Sequence, residues 1–450
     1  MNESLLISQL NELKPAGARV YLVGGAVRDI LLQRTGKDFD LACSFDTRII
    51  ARALADRQKG DFYLLDAKRN TSRVILHESN GRRVFYDFAR LQGSSIEDDL
   101  QTRDFTINAM ALDLDAPDAL IDPQGGARDL KDRILRACSP NSFADDPVRV
   151  IRAVRYAIGL DLTITPETLM GLKAAVPLVN QISRERNRDE LLKVLESGKP
   201  DVGLRLLERL GILDVLRLGS AESDIAIPAR QCGALEELIS ALEGVGVKEA
   251  SQGMPITSFL LRLGRFKKRI LDHLARVNSS GRTLRTMDLL GAWLETYDRQ
   301  SFFRVLEELL LANEEKSHLS ALYDHQNDLK SMSQIPNRRE IYRFFKQAPV
   351  DLCLVRLAGL LSQPPAERSA QSWLKELEKC EVLVDAWANH PEIISPKPLL
   401  NGRELMRQFQ IQPGKQVGEL INTLLEEQAA GTIDTKIEAI SWMKSLVLGK

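Results

Sequence analysis

The chain has little of what builds disulfide or zinc scaffolds. Only five cysteines occur in 450 residues, Cys43, Cys138, Cys232, Cys353 and Cys380, far apart and without a CxxC pair. That spacing argues against a zinc site and a disulfide framework, and it fits a reducing cytoplasm. Histidine is equally sparse: His77, His273, His318, His325 and His390 are scattered, with no HExxH-type grouping. No apolar run approaches the roughly 18 residues of a membrane span, so no membrane partner is expected. Met1-Asn2-Glu3-Ser4 lacks a basic stretch before an apolar core, so a signal peptide is not expected. Neither charge sign is in excess: 61 Lys and Arg against 62 Asp and Glu give a formal net charge of −1. Any nucleic-acid surface must therefore be a local basic patch. A repeat of fixed period is missing too.

What is there is ordinary globular material, 44% hydrophobic and 27% charged, with length for roughly two to four domains. Leu5, Leu6, Ile7, Leu10 and Leu13 predict an amphipathic helix. From about 18 to 138 the pattern is mixed, with strand-like runs at 19–23, 39–42, 62–65, 73–76, 84–88 and 109–113 and helices between them. This predicts an α+β domain with one small sheet. The polar stretch 67–80, with Lys68, Arg69, Arg73 and His77, is expected to be a mobile hairpin or loop that helps a switch in substrate. After Ser139-Pro140 helical periodicity dominates, broken near 198–200, 219–228, 278–281 and 395–398 by Gly, Pro and Ser. The expected picture is a catalytic head to about residue 138, followed by a long helical body.

The chemistry begins at Gly24-Gly25-Ala26-Val27-Arg28-Asp29, followed by Asp38-Phe39-Asp40. Residues i and i+2 of a strand share a face, about 6–7 Å apart. Two carboxylates so placed can share divalent cations, and oxygen-only ligands favour Mg²⁺. Gly24 and Gly25 let backbone approach a phosphate, and Arg28 can pair with its oxygens. The plain alternative is a surface turn. Asp87 interrupts the apolar run Val84-Phe85-Tyr86-Asp87-Phe88; it is either a third carboxylate of the site or a paired residue at a sheet edge.

Three further segments follow. In Thr102-Arg103-Asp104-Phe105-Thr106-Ile107-Asn108, Arg103 can reach a triphosphate and Asn108 needs polar partners, which a ribose or base can supply. In Asp145-Asp146-Pro147, Pro147 suits a first helical turn and Asp146 its cap. Arg149, Arg152 and Arg155 then form a ridge suited either to phosphate or to an ion-pair network. In Ser183-Arg184-Glu185-Arg186-Asn187-Arg188, Ser183 can cap the helix. Glu185 and Arg188, three apart, form either a surface ion pair or an acceptor–donor pair. The pair would match the amino and ring-nitrogen edge of cytosine or adenine. A basic run, with Arg265, Lys267, Lys268 and Arg269 at its centre, is either a solvated face or an RNA contact.

The order of these motifs resembles the class II tRNA nucleotidyltransferase and bacterial poly(A) polymerase family. The matching residues are GGAVRD (24–29) with DFD (38–40), TRDFTINA (102–109), ADDPVRVIRAVRY (144–156) and RERNRDEL (184–191), with a weaker match in 399–405 and 411–418. The resemblance implies a polymerase-β-like head, 1–138, with a helical neck, 139–216, a helical body, 217–340, and a helical tail, 341–450. It implies a cytoplasmic enzyme that adds C, C and A, or part of that set, to the 3′ end of tRNA from CTP and ATP. The RNA 3′-hydroxyl attacks the α-phosphate, and the acceptor arm and elbow of the tRNA are the partner surfaces.

By the same resemblance Asp38 and Asp40 hold two Mg²⁺ ions, and Gly24, Gly25 and Arg28 hold the triphosphate; Asp87 joins them as the candidate third carboxylate on its own place in the apolar run. Arg103, Asp104 and Asn108 contact ribose and phosphates. Asp146, Arg149, Arg152 and Arg155 link head to neck and touch the nucleotide, and Glu185 and Arg188 select the base. The chain departs from the family where two arginines usually open the second motif, here Thr102-Arg103, and where Glu-Asp-x-x-Arg is usual, here Arg184-Glu185-x-x-Arg188. An A-adding or CC-adding specialist, or a poly(A) polymerase, is therefore the alternative. A non-catalytic RNA-binding protein and a small-molecule nucleotidyltransferase are more distant ones.

Overall fold

A computed structural model describes residues 9–34, 38–77, 83–219, 225–245 and 253–448. The chain divides into two compact units, 1–190 with 210–215, and 191–209 with 216–450. Of the expected N-terminal helix, residues 9–13 are helical, and 5–8 lie outside the described residues.

The first unit is built on seven strands: β1 (Val20–Val23), β2 (Asp38–Cys43), β3 (Asp61–Asp66), β4 (Thr71–His77), β5 (Arg83–Arg90), β6 (Ala111–Asp113) and β7 (Ala116–Ile121). They lie in the order β3-β4-β5-β2-β1-β6-β7. Among the described residues of this sheet only the central β2–β5 pair is parallel; a separate two-stranded parallel pair joins Ile134–Leu135 to Thr163–Ile164. Helix α1 (Gly25–Leu31) follows β1 directly. Helix α2 (Thr47–Gln58) is started by Asp46, whose carboxylate accepts from the Arg48 N–H at 3.0 Å. Its apolar stripe of Ile50, Ala51 and Leu54 packs with Leu22, Leu41, Val74, Tyr86 and Phe88 from one sheet face. The other face carries Val23, Ala42 and Ala111, which cluster with Ile96 and Leu100 of α3 (Ile96–Gln101). Because side chains alternate along a strand, Asp38 and Asp40 share that second face with Ala42. Both are exposed, so the apolar cover stops short of this end of β2. Helices α4 (Arg149–Gly159) and α5 (Arg184–Leu195) follow, the latter reaching into the second unit.

The second unit is helical throughout its described residues, apart from an isolated bridge between Val277 and Thr283. Five of its helices matter below: α6 (Lys267–Leu274), α7 (Leu284–Leu294), α8 (Asn313–Asp324), α9 (Asp351–Leu361) and α10 (Ala370–Asn389). Trp293 and Trp373 are its largest fully buried side chains. Among the described residues, no helix is long and apolar enough to cross a membrane.

Several local expectations change. The sequence pattern shows no strand at 116–121, where Pro117 stands; β7 is an edge strand, and Pro117 falls where its register with β6 shifts and pairs with no β6 residue. Of the expected hairpin or loop at 67–80, residues 67–70 form a turn and 71–77 strand β4, which makes a hairpin with β3; 78–80 lie outside the described residues. Helix α4 starts at Arg149 with no side-chain cap, so Asp146 does not cap it. Its carboxylate instead accepts from Arg186 at 2.7 Å. Ser183 does cap α5, through the Arg186 N–H at 3.4 Å.

Candidate active site

The site forms where the sheet brings three carboxylates together. Asp40 lies opposite Asp87 in the parallel β2–β5 register, and Asp87 lies opposite Arg73 across β4 and β5. Residues paired across strands share a face, so Arg73, Asp87 and Asp40 form one row, with Asp38 two residues along β2. Arg73 donates from Nε to Asp87 Oδ1 at 2.7 Å and from Nη2 to Oδ2 at 2.6 Å. That bidentate pair fixes the third carboxylate. Asp40 is open to solvent on one side and crowded by protein on the others. Burial of its carboxyl raises its pKa above the ordinary value; the charges of Asp87 and Asp38 raise it further, and Arg103 opposes them. A cation at this spot would relieve that strain on the charged form.

Gly24 is the hinge between β1 and α1. Its φ of 70° is a conformation that favours glycine. A Cβ there would lie 3.0 Å from Arg103 Nη1 and 3.5 Å from Asp40 Oδ2. The missing side chain thus keeps the space between a cationic and an anionic group open. All three carboxylates offer oxygen only and two are exposed, a donor set that fits hard divalent cations.

Behind this row, the arginines and amides of three sequence motifs are wired to one another. Arg28 donates to Asp29 Oδ1 at 2.8 Å and to Asn108 Oδ1 at 2.7 Å. Asn108, buried, donates from Nδ2 to Asp104 Oδ1 at 3.0 Å. Asp104, also buried, accepts from Arg152 Nε and Nη2 on Oδ2 at 2.9 and 2.6 Å. Burial alone would raise the Asp104 pKa; the Arg152 charge and the bonds from Asn108, Arg152 and the Phe105 N–H more than offset it and hold it low. Arg152 continues to Glu190 Oε1 at 3.3 Å, and Arg155 pairs with the same carboxylate. Arg149 donates to the carbonyls of Thr102 and Arg103 at 2.8 and 3.4 Å, which pins the loop carrying Arg103. Asp104 and Asn108 therefore lie beneath the surface, bonded to Arg152, Arg28 and each other. Glu185 is exposed at the start of α5, and Arg188 Nε donates to Asp189 at 2.9 Å.

Three contributors carry no role in the sequence reading. Asp99 accepts from Arg103 at 2.9 and 3.2 Å and sets its direction; the i,i+4 spacing was the available signal. Arg73 had none, since its pairing depends on strand register. The ring of Tyr156 lies 5.3, 5.5 and 4.5 Å from the guanidinium carbons of Arg28, Arg152 and Arg155, close enough for cation–π attraction to all three.

The basic run of the second unit is largely neutralised by acids distant in sequence. Arg265 pairs with Glu381 of α10 at 3.1 Å, and Arg262 with the same carboxylate at 2.7 Å. Arg282 pairs with Glu315 and Arg285 with Glu236 and Glu243, while Lys268 pairs within the run with Asp272. Lys267 and Arg269 are exposed.

Residues 20–136 match the family described as the poly A polymerase head domain. Residues 161–218 match the probable RNA and SrmB-binding site of polymerase A, and 293–443 the putative tRNA nucleotidyltransferase domain 2. The A-adding tRNA nucleotidyltransferase of Deinococcus radiodurans is 31% identical over 440 residues, covering 96% of this chain and 95% of that one. The chain belongs to the tRNA nucleotidyltransferase and poly(A) polymerase family. The CC-adding tRNA nucleotidyltransferase of Geobacter sulfurreducens is 29% identical over 425 residues, covering 94% and 91%. That of Thermus thermophilus is 30% identical over 453 residues, covering 94% and 92%. Among solved structures, an apo CCA-adding enzyme superposes with a TM-score of 0.65 at 23% identity, covering 99% of this chain and 95% of its own. At that identity the match concerns the fold alone, and it agrees with the expected α+β head and helical continuation.

Proposed function

We propose that this chain adds all or part of the CCA triplet to the 3′ end of tRNA from CTP and ATP, with Mg²⁺ held by Asp38 and Asp40. The observation that carries the reading is the exposed Asp38–Asp40 pair on one face of β2, with Asp87 beside Asp40 in register and the open space at Gly24 against it. Bound there, Mg²⁺ would lower the pKa of the RNA 3′-hydroxyl and neutralise charge on the departing pyrophosphate. Arg28 and Arg103 bind the triphosphate, oriented by Asn108 and by Asp99. Asp104, Arg149 and Arg152 keep those two arginines in position, and Tyr156 holds their cationic neighbourhood together. Glu185 accepts from the amino group of cytosine or adenine and Arg188 donates to the ring edge. Head, neck, body and tail span 1–138, 139–216, 217–340 and 341–450, and the exposed Lys267 and Arg269 contact the RNA backbone.

A CC-adding specialist is the second reading. It is favoured by the tight turn between β3 and β4, which leaves no long loop at 67–77 to remodel the site for a different third base. Single-nucleotide assays on tRNA ending before CCA, after C and after CC decide between them. CTP incorporation on the first two substrates supports the proposal, and ATP incorporation after CC marks the complete activity. Incorporation of ATP alone on an unrelated oligomer, with none on tRNA, would overturn it.

A further inference from the structure

We propose that Asp288, His318 and Asp351 form a binding site for a divalent transition-metal ion, zinc by its donor chemistry, which ties three helices of the second unit together. The residues come from α7, α8 and the first turn of α9. One ligand atom from each lies within 4.8 Å of the others. The histidines are scattered in the sequence, yet folding sets His318 against Asp288 and His273 against Asp351.

The cluster is interior. Asp288 and Asp351 are 0% and 2% exposed. His318 Nε2 and Asp288 Oδ1 are 2.8 Å apart. On the far side, His273 Nε2 meets both oxygens of Asp351 at 2.9 and 3.0 Å. No N–H or O–H among the described residues donates to the buried Asp288 Oδ2. Its carboxyl interacts directly with that of Asp351. Two buried carboxyl groups therefore face each other, within hydrogen-bond reach, beside an imidazole. Two buried carboxylates so close repel each other, so something positive is required there: a proton or a metal ion.

The donor set favours the metal. Two carboxylate oxygens and one imidazole nitrogen suit zinc, whereas Mg²⁺ prefers oxygen and retained water. Zinc–ligand bonds of about 2.0–2.2 Å set tetrahedral ligand atoms roughly 3.4 Å apart, so the 2.8 Å His318–Asp288 contact need only open slightly. The half-buried His318 leaves a side from which water can complete the coordination. The His273 contact to Asp351 is the supporting bond that metal-bound carboxylates usually have. The site differs in chemistry from the exposed, all-oxygen row of the head and does not depend on the proposed transferase activity.

The test uses the full chain carrying Asp38→Ala and Asp40→Ala, which removes the head carboxylates. After metal stripping and dialysis against zinc chloride, metal analysis should find about one zinc per chain and a raised Tm. Adding Asp288→Asn and His318→Gln should abolish both. Absence of zinc in the first protein, as a shared proton would give, overturns the proposal, and so does its retention in the second. Should the second protein fail to fold, cobalt added to the first decides: visible bands of a low-symmetry nitrogen–oxygen site support the proposal, and the spectrum of hydrated cobalt overturns it.

Discussion

Replacing Arg152 by leucine tests the wiring beneath the active site. Asp104 is 6% exposed and receives both its Oδ2 hydrogen bonds from Arg152. Removing the guanidinium leaves a buried carboxylate with only Asn108 and the Phe105 N–H as donors. Breaking a buried pair from one side costs about 3–5 kcal/mol. The loss depends on pH in a definite direction. In the native chain the Asp104 pKa is depressed, so its contribution to stability is present above the unfolded carboxylate pKa and fades as pH falls through the folded value. In the variant the folded pKa rises instead, and the penalty grows as pH rises. The stability gap between the two proteins should thus be widest near neutrality and narrow toward pH 4. Asp104→Asn in the Arg152→Leu background should recover much of it, because no buried charge remains. Trp293, Trp373, Trp387 and Trp442 all lie in the second unit, so fluorescence would miss the effect. Hydrogen exchange of β2 and β5 amides is the suitable readout. An Arg152→Leu chain whose β2 protection matches the native level at pH 7, or a double variant no better than the single, would refute the reasoning.

Two further outcomes follow from single positions, one in each unit. Gly24→Ala places a Cβ at a strained φ and 3.0 Å from Arg103 Nη1. It should cost about 1–3 kcal/mol of backbone strain and lower kcat/KM for CTP by roughly tenfold or more, and unchanged kinetics would contradict it. Burial raises the pKa of Glu295 to about 7, with Lys330 and Arg356 opposing, so the group disfavours the fold increasingly as pH rises from its unfolded value through 7. Glu295→Gln should raise Tm at pH 8, by up to roughly 3 kcal/mol of stability, and change it little at pH 5, read by tryptophan fluorescence.

The parts legible in the sequence were those set by local period. Strand alternation put Asp38 and Asp40 on one face, and Ser183 announced its helix. The rest depended on register and on distant partners. Arg73 meets Asp87 only because β4 and β5 align them, and Asp146 forgoes the helix behind it for Arg186, forty residues away. The basic run looked unpaired within its own window because Glu381, Glu315 and Glu236 come from other helices. Pro117 concealed β7, since sequence does not reveal which strand lies at an edge.

The most direct measurement of the central claim is CTP incorporation into tRNA lacking its CCA end, by native and Asp40→Ala proteins stripped of metal and then titrated with Mg²⁺. The account predicts no incorporation by the native protein until Mg²⁺ is added, a loss of about 10³-fold or more in the variant at every Mg²⁺ concentration, and tRNA affinity little changed. Incorporation by the metal-free native protein, or an Asp40→Ala rate within tenfold of native, would contradict it.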